Sequence, residues 1–137
     1  MSISPEALNT WGKAQSKLRD ALTLSAEVFP GNVVMSSYYA MRNAAVAVLL
    51  HVDGSAPTVE SQIIARFGTV VGTNGEAHGK AFNSAFDLRT VEDYDPVDSA
   101  TPEDAEAVRE DAVALLKYCS DVYGFPDGNR ASDAPAS

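Results

Sequence analysis

Hydrophobic residues recur along this chain at helical spacing, with no sustained alternation. Leu8, Trp11, Ala14, Leu18, Ala21, Leu22 and Val28, with Gln15 in the same stripe, follow a period near 3.6, while Lys13, Lys17, Arg19 and Asp20 take the other directions. Ser4 is placed to cap this first amphipathic helix, Pro5 to open it and Glu6 to meet its positive end. The stretch FPGN, Phe29 to Asn32, breaks it.

A second helix is expected from about Val33 to His51, closed by the turn residues DGSAP at Asp53 to Pro57. A shorter third helix follows Thr58 with Ile63, Ile64 and Phe67 as its apolar positions, and GTNG, Gly72 to Gly75, ends it. The fourth carries Phe82, Phe86 and Val91 and should stop by Asp95-Pro96, because the residue before proline avoids the helical region. TPED at Thr101 to Asp104 has the form of a capping box with Pro102 at the first helical position. Ala105, Val108, Ala112, Leu115, Leu116 and Cys119 then form a core stripe. Short connections make consecutive helices antiparallel neighbours, which predicts an all-α, up-and-down bundle of four to five helices. The bundle is expected to occupy residues 1–124, and the turn-rich FPDGNRASDAPAS, residues 125–137, to form a flexible tail.

Composition narrows the function classes. At 137 residues and 45% hydrophobic, the chain suits one domain with one core. Ten Lys and Arg against 19 Asp and Glu give a formal charge of −9, which argues against a non-specific grip on a phosphate backbone but leaves room for a local basic cleft. The single cysteine excludes an intramolecular disulfide and fits a reducing compartment. No Cys/His cluster has zinc-site spacing, and no metal or cofactor is expected. The N-terminus has neither the basic start nor the apolar run of a signal peptide. Val33 to Leu50 is long enough to span a bilayer, but Arg42 and Asn43 in its middle point to a buried helix in a cytoplasmic protein.

That stretch, SSYYAMRNAAVAVLLH, carries the candidate chemistry. Helical phase puts Val34, Tyr38, Met41, Ala44, Ala45 and Val48 on one side and Tyr39, Arg42, Asn43 and Val46 on others. Arg42 therefore belongs at an edge or an interface. One reading pairs it with a carboxylate of a neighbouring helix, with Asp87, Glu92 and Asp93 as candidates, and leaves Asn43 to satisfy a backbone group. The other makes Arg42 part of an anion or RNA-phosphate site, since guanidinium binds phosphate in a two-pronged manner. Further along, FDLRTVEDYD sets Arg89 and Asp93 four residues apart, a spacing for a pair on one helix face, and Tyr94 as a helix-end anchor. Of the two histidines, His51 ends the Arg42 helix, where a C-terminal dipole favours its charged form, and His78 reads as structural.

Together SSYYAMRNAAVAVLLHVDG, SQIIARFG and FDLRTVEDYD resemble the small stand-alone HEPN proteins, over roughly Leu8 to Leu116. The resemblance implies a helical bundle that forms homodimers. It implies either a metal-independent endoribonuclease of the toxin or defence type, or a non-catalytic module that partners a small nucleotidyltransferase or binds a nucleotide or other anionic ligand. In the nuclease members an Arg-polar dipeptide and a later histidine act at a cleft between two copies, the arginine on the phosphate and the histidine assisting the ribose 2′-hydroxyl. Carried onto this chain, Arg42-Asn43 match the dipeptide and His51 the histidine, while Tyr38, Tyr39, Arg89, Asp93 and Tyr94 would contribute to ligand binding. His51 lies nine positions after Arg42, further than the family pattern places it, and on the opposite side of a regular helix. Expected partners are a second copy of the chain, RNA and a nucleotidyltransferase antitoxin; a membrane is not expected.

Overall fold

A computed structural model describes residues 2–94 and 100–127, and of residues 91–94 the backbone alone. It contains five helices in chain order: α1 (Pro5–Thr23), α2 (Pro30–Asp53), α3 (Glu60–Val71), α4 (Glu76–Tyr94) and α5 (Pro102–Tyr123). No strand occurs among the described residues. The all-α bundle expected from the periodicity is what forms.

Local chemistry explains most helix ends. The Ser4 hydroxyl accepts the Ala7 amide, with Pro5 next in line. The Thr101 hydroxyl accepts the Asp104 amide and the Asp104 carboxylate accepts the Thr101 amide, a complete capping box. Gly124 closes α5 with a left-handed φ of 82°, a conformation that glycine adopts without a Cβ penalty. The bend between α3 and α4 needs another glycine, since a Cβ on Gly75 would lie 2.5 Å from Val71 Cβ and 2.8 Å from the Tyr118 hydroxyl.

Two expectations need correction near the first connection. α1 stops at Thr23, short of the FPGN break, and α2 begins at Pro30, three residues before Val33. Pro30 serves as an opening residue because its missing N–H is not needed there. Val28 thus falls outside α1 and is 66% exposed; within α1 Leu22 (54%) and Leu8 (40%) also face outward, and the buried stripe is Ala7, Trp11, Ala14 and Ala21.

α2 is the central helix, packed against all four others. Tyr38, Ala40, Met41, Ala44, Ala45, Ala47, Val48 and Leu49 are fully buried. Four alanines among them let neighbouring helices approach closely on more than one side. α2 is long and apolar enough to cross a membrane, but most of it is covered by the rest of the bundle. Every residue of the expected α5 stripe, Ala105 to Cys119, is buried.

The chain past α5 departs from expectation at its start. Phe125, 2% exposed, stacks on Trp11 with ring centroids 4.8 Å apart, and the Pro126 carbonyl accepts Trp11 Nε1–H at 2.8 Å and the Gln15 amide at 3.1 Å. The Ser120 hydroxyl donates to the Phe125 carbonyl at 2.6 Å. Packing therefore continues past residue 124, because an aromatic ring following the Gly124 turn finds the exposed side of Trp11. Residues 128–137, the remainder of the expected tail, lie outside the described residues.

Candidate functional site

The expected site residues on α2 begin at its middle. Tyr38 and Arg42, four apart, project on the same side. Tyr39, Arg42 and Asn43 are half-buried at the edge of the helix, where α3 and α4 pass. Glu60, the first residue of α3, is the partner of Arg42: the Arg42 Nε–H lies 2.8 Å from each of the two carboxylate oxygens. Each side chain is 27% exposed. A carboxylate in the first turn of a helix is also favoured by the positive end of the helix dipole. The pairing reading of Arg42 thus holds with a different acid, since α3, and not the end of α4, brings the facing carboxylate. Among the described residues the two terminal amino groups of Arg42 make no hydrogen bond, so four of its five N–H donors stay open.

Arg89 arrives from α4. Its Nη2 donates to the Tyr39 hydroxyl at 2.9 Å, and its guanidinium carbon stands 5.6 Å from the ring centroids of both Tyr38 and Tyr39. The Tyr38 ring packs edge-on to Tyr39 at 5.2 Å and beside Phe82 and Phe86, each at 6.0 Å. The Tyr38 hydroxyl is fully buried and close to the Glu60 carboxylate. Burial, and then the nearby Glu60 carboxylate, hold its pKa well above the ordinary phenol range, and Arg42 and Arg89 only partly offset this. Tyr38 stays neutral, with one carboxylate and two guanidinium groups near it.

The other expected residues are placed differently. Asn43 is half-buried beside Arg42, and its amide makes no hydrogen bond among the described residues. His51 sits in the last turn of α2, edge-on to Phe125 with centroids 5.9 Å apart. α2 runs unbroken through this interval, so nine residues carry His51 about 13 Å along the axis from Arg42 and to the opposite side. Within one chain the two do not meet. The side chains of Asp93 and Tyr94 lie outside the described residues, and with them the expected Arg89–Asp93 pair. Glu60 is the residue that sequence reasoning missed. Its only local signal is an acid opening a short amphipathic helix, which reads equally well as a dipole partner.

The described residues hold no cluster of three or more His, Cys, Asp or Glu able to ligate a metal. Chemically, the arrangement offers a cation with an open donor edge, a carboxylate fixed beside it, a neutral buried phenol and a second guanidinium over two tyrosine rings.

The family model described as HEPN domain matches residues 8–122 of this chain. No curated protein matches it significantly, and no solved structure does.

Proposed function

The chain belongs to the HEPN domain family, and on that footing we propose that it is a cytoplasmic toxin- or defence-type protein that cuts RNA as a metal-independent endoribonuclease at a homodimer cleft. The observation that carries this reading is the open donor edge of Arg42. Glu60 holds the guanidinium through Nε, and the two terminal amino groups make no hydrogen bond among the described residues, a fork suited to two phosphate oxygens. Asn43, beside it with unused amide groups, adds a neutral donor for the same phosphate. Arg89 and the Tyr38–Tyr39 pair supply further charge and aromatic surface across the α2–α4 edge. Because His51 cannot reach Arg42 in its own chain, a second copy has to bring its own imidazole to the cleft, which makes the dimer a requirement of catalysis.

The test is cleavage of a mixed cellular RNA pool in EDTA by the purified dimer beside Arg42→Ala and His51→Ala. Each variant alone should lose cutting, and an equimolar, re-equilibrated mixture should regain part of it through mixed dimers. A folded dimer that leaves RNA intact ends the ribonuclease reading.

One observation favours a second reading, a non-catalytic module that docks a nucleotidyltransferase or an anionic ligand such as a nucleotide. Arg42 and Arg89 already have protein partners in Glu60 and Tyr39, as structural cations do. Under that reading RNA stays uncut while a nucleotidyltransferase encoded beside this protein forms a stable complex with it.

A further inference from the structure

We propose that Glu60 is the proton acceptor of this site, the group that takes the ribose 2′-hydroxyl proton while Arg42 holds the adjoining phosphate. The inference rests on the ribonuclease reading and moves to Glu60 the part at the 2′-hydroxyl that the family resemblance gives to the histidine, leaving His51 of the second copy to the departing 5′-oxygen.

The attacking 2′-oxygen is a neighbour of the phosphorus it attacks, so the base has to stand beside the phosphate-binding group, within hydrogen-bond reach or one water away. The His51 of the same chain is about 13 Å along α2 from Arg42. Glu60 touches the same guanidinium whose outer edge is open, and it keeps 27% of its side chain exposed, so a hydroxyl beside an Arg42-bound phosphate can reach it. A phosphate arriving on the terminal amino groups competes for the positive charge that otherwise holds the carboxylate, and so loosens the Arg42–Glu60 contact as substrate binds. The buried Tyr38 hydroxyl lies close to Glu60 and places a neutral donor next to this carboxylate.

The step balances without a redox partner. The 2′-hydroxyl proton passes to the Glu60 carboxylate as the O2′–P bond forms. The P–O5′ bond breaks, and the departing 5′-oxygen takes a proton from the His51 imidazolium of the second copy. The products are a 2′,3′-cyclic phosphate and a 5′-hydroxyl, and exchange with water returns Glu60 and His51 to their starting states.

Two substrates separate the roles. On a single-stranded RNA oligonucleotide, Glu60→Gln, which keeps the shape and one acceptor for Arg42, is expected to lower kcat about 100-fold or more, with KM within about 3-fold. Glu60→Asp should retain part of the rate, and circular dichroism with sedimentation confirms that each variant is a folded dimer. On uridine 3′-(4-nitrophenyl phosphate), whose leaving group departs without a proton, His51→Ala should recover most of its loss and Glu60→Gln should not. Should Glu60→Gln fail to fold, Glu60→Ala, which also lacks the carboxylate, carries the same comparison. Wild-type kcat in Glu60→Gln, or its recovery on the nitrophenyl substrate, overturns the assignment while leaving the ribonuclease reading standing. Absence of cleavage by the unaltered protein on both substrates removes that reading and this one together.

Discussion

The Nε of Arg42 stands 2.8 Å from both carboxylate oxygens of Glu60, so the middle of α2 and the first turn of α3 are joined through one charged contact. With each side chain about a quarter exposed, solvent screens the pair and its contribution to stability is modest. A double-mutant cycle of Arg42→Ala and Glu60→Ala, read by urea unfolding, should give a coupling of about 0.5–1 kcal/mol. A coupling near zero would show that the contact does not persist in solution.

The segment after α5 should contribute to stability out of proportion to its length. Phe125 covers Trp11 and fixes the Pro126 carbonyl that the indole N–H needs. Phe125→Ala opens that stack and exposes the indole, at a cost of about 3 kcal/mol in urea unfolding. Fluorescence from Trp11, the chain's one tryptophan, should shift to the red in the folded variant.

α1 carries no basic residue in its last turn, and α5 supplies one. Arg109 Nη1 donates to the carbonyls of Ala21 at 3.1 Å and Leu24 at 2.9 Å, while the adjoining amino group pairs with Glu106. These carbonyls are left over at the helix end, and a cation there meets the negative pole of the dipole. Arg109→Ala should cost about 1.5 kcal/mol and speed proteolysis between Leu22 and Phe29 in limited digests. Unchanged cleavage there would mean that α1 does not depend on this cap.

Where α4 begins, the His78 ring lies 4.6 Å from the Tyr118 ring, with Asp111 near enough to interact. Burial lowers the His78 pKa and Asp111 partly restores it; burial raises the Asp111 pKa, Glu110 raises it further and His78 opposes. The His78 contribution is present above the unfolded value, about 6.5, and is lost as pH falls through the folded one. The Asp111 contribution runs the other way: it is present below the unfolded value, about 3.9, and is lost as pH rises through the folded one. Between these limits the slopes oppose each other. Asp111→Asn should make stability fall more steeply on acidification from pH 7 to 5, and His78→Gln should remove that fall. Thermal melts across this range check both signs.

Cys119 is fully enclosed, and burial pushes its thiol up to about 12. At pH 8 a chromogenic disulfide reagent should leave the native protein untouched and release one equivalent of chromophore in denaturant. Prompt reaction under native conditions would mean that α5 opens locally.

What the sequence determined by itself is what short range decides. Ser4 with Pro5 and the Thr101–Asp104 box specify helix starts through neighbouring backbone groups, and the α5 stripe specifies its buried face through period alone. The family was legible for the same reason, since its motifs run within single helices. Tertiary structure decided the rest. The partner of Arg42 depends on which helix start faces α2, and Asp87 and Glu60 look alike to any local rule. Phe125 reads as tail because its contact, Trp11, is more than a hundred residues away. Val28 looks like core until α1 ends at Thr23 and leaves it facing outward, and Leu22 looks like core until the packing of α1 turns its other face inward. Period and caps are properties of one helix, whereas a buried charge finds its counterpart only when two helices cross, and that crossing is set by the packing of the whole core.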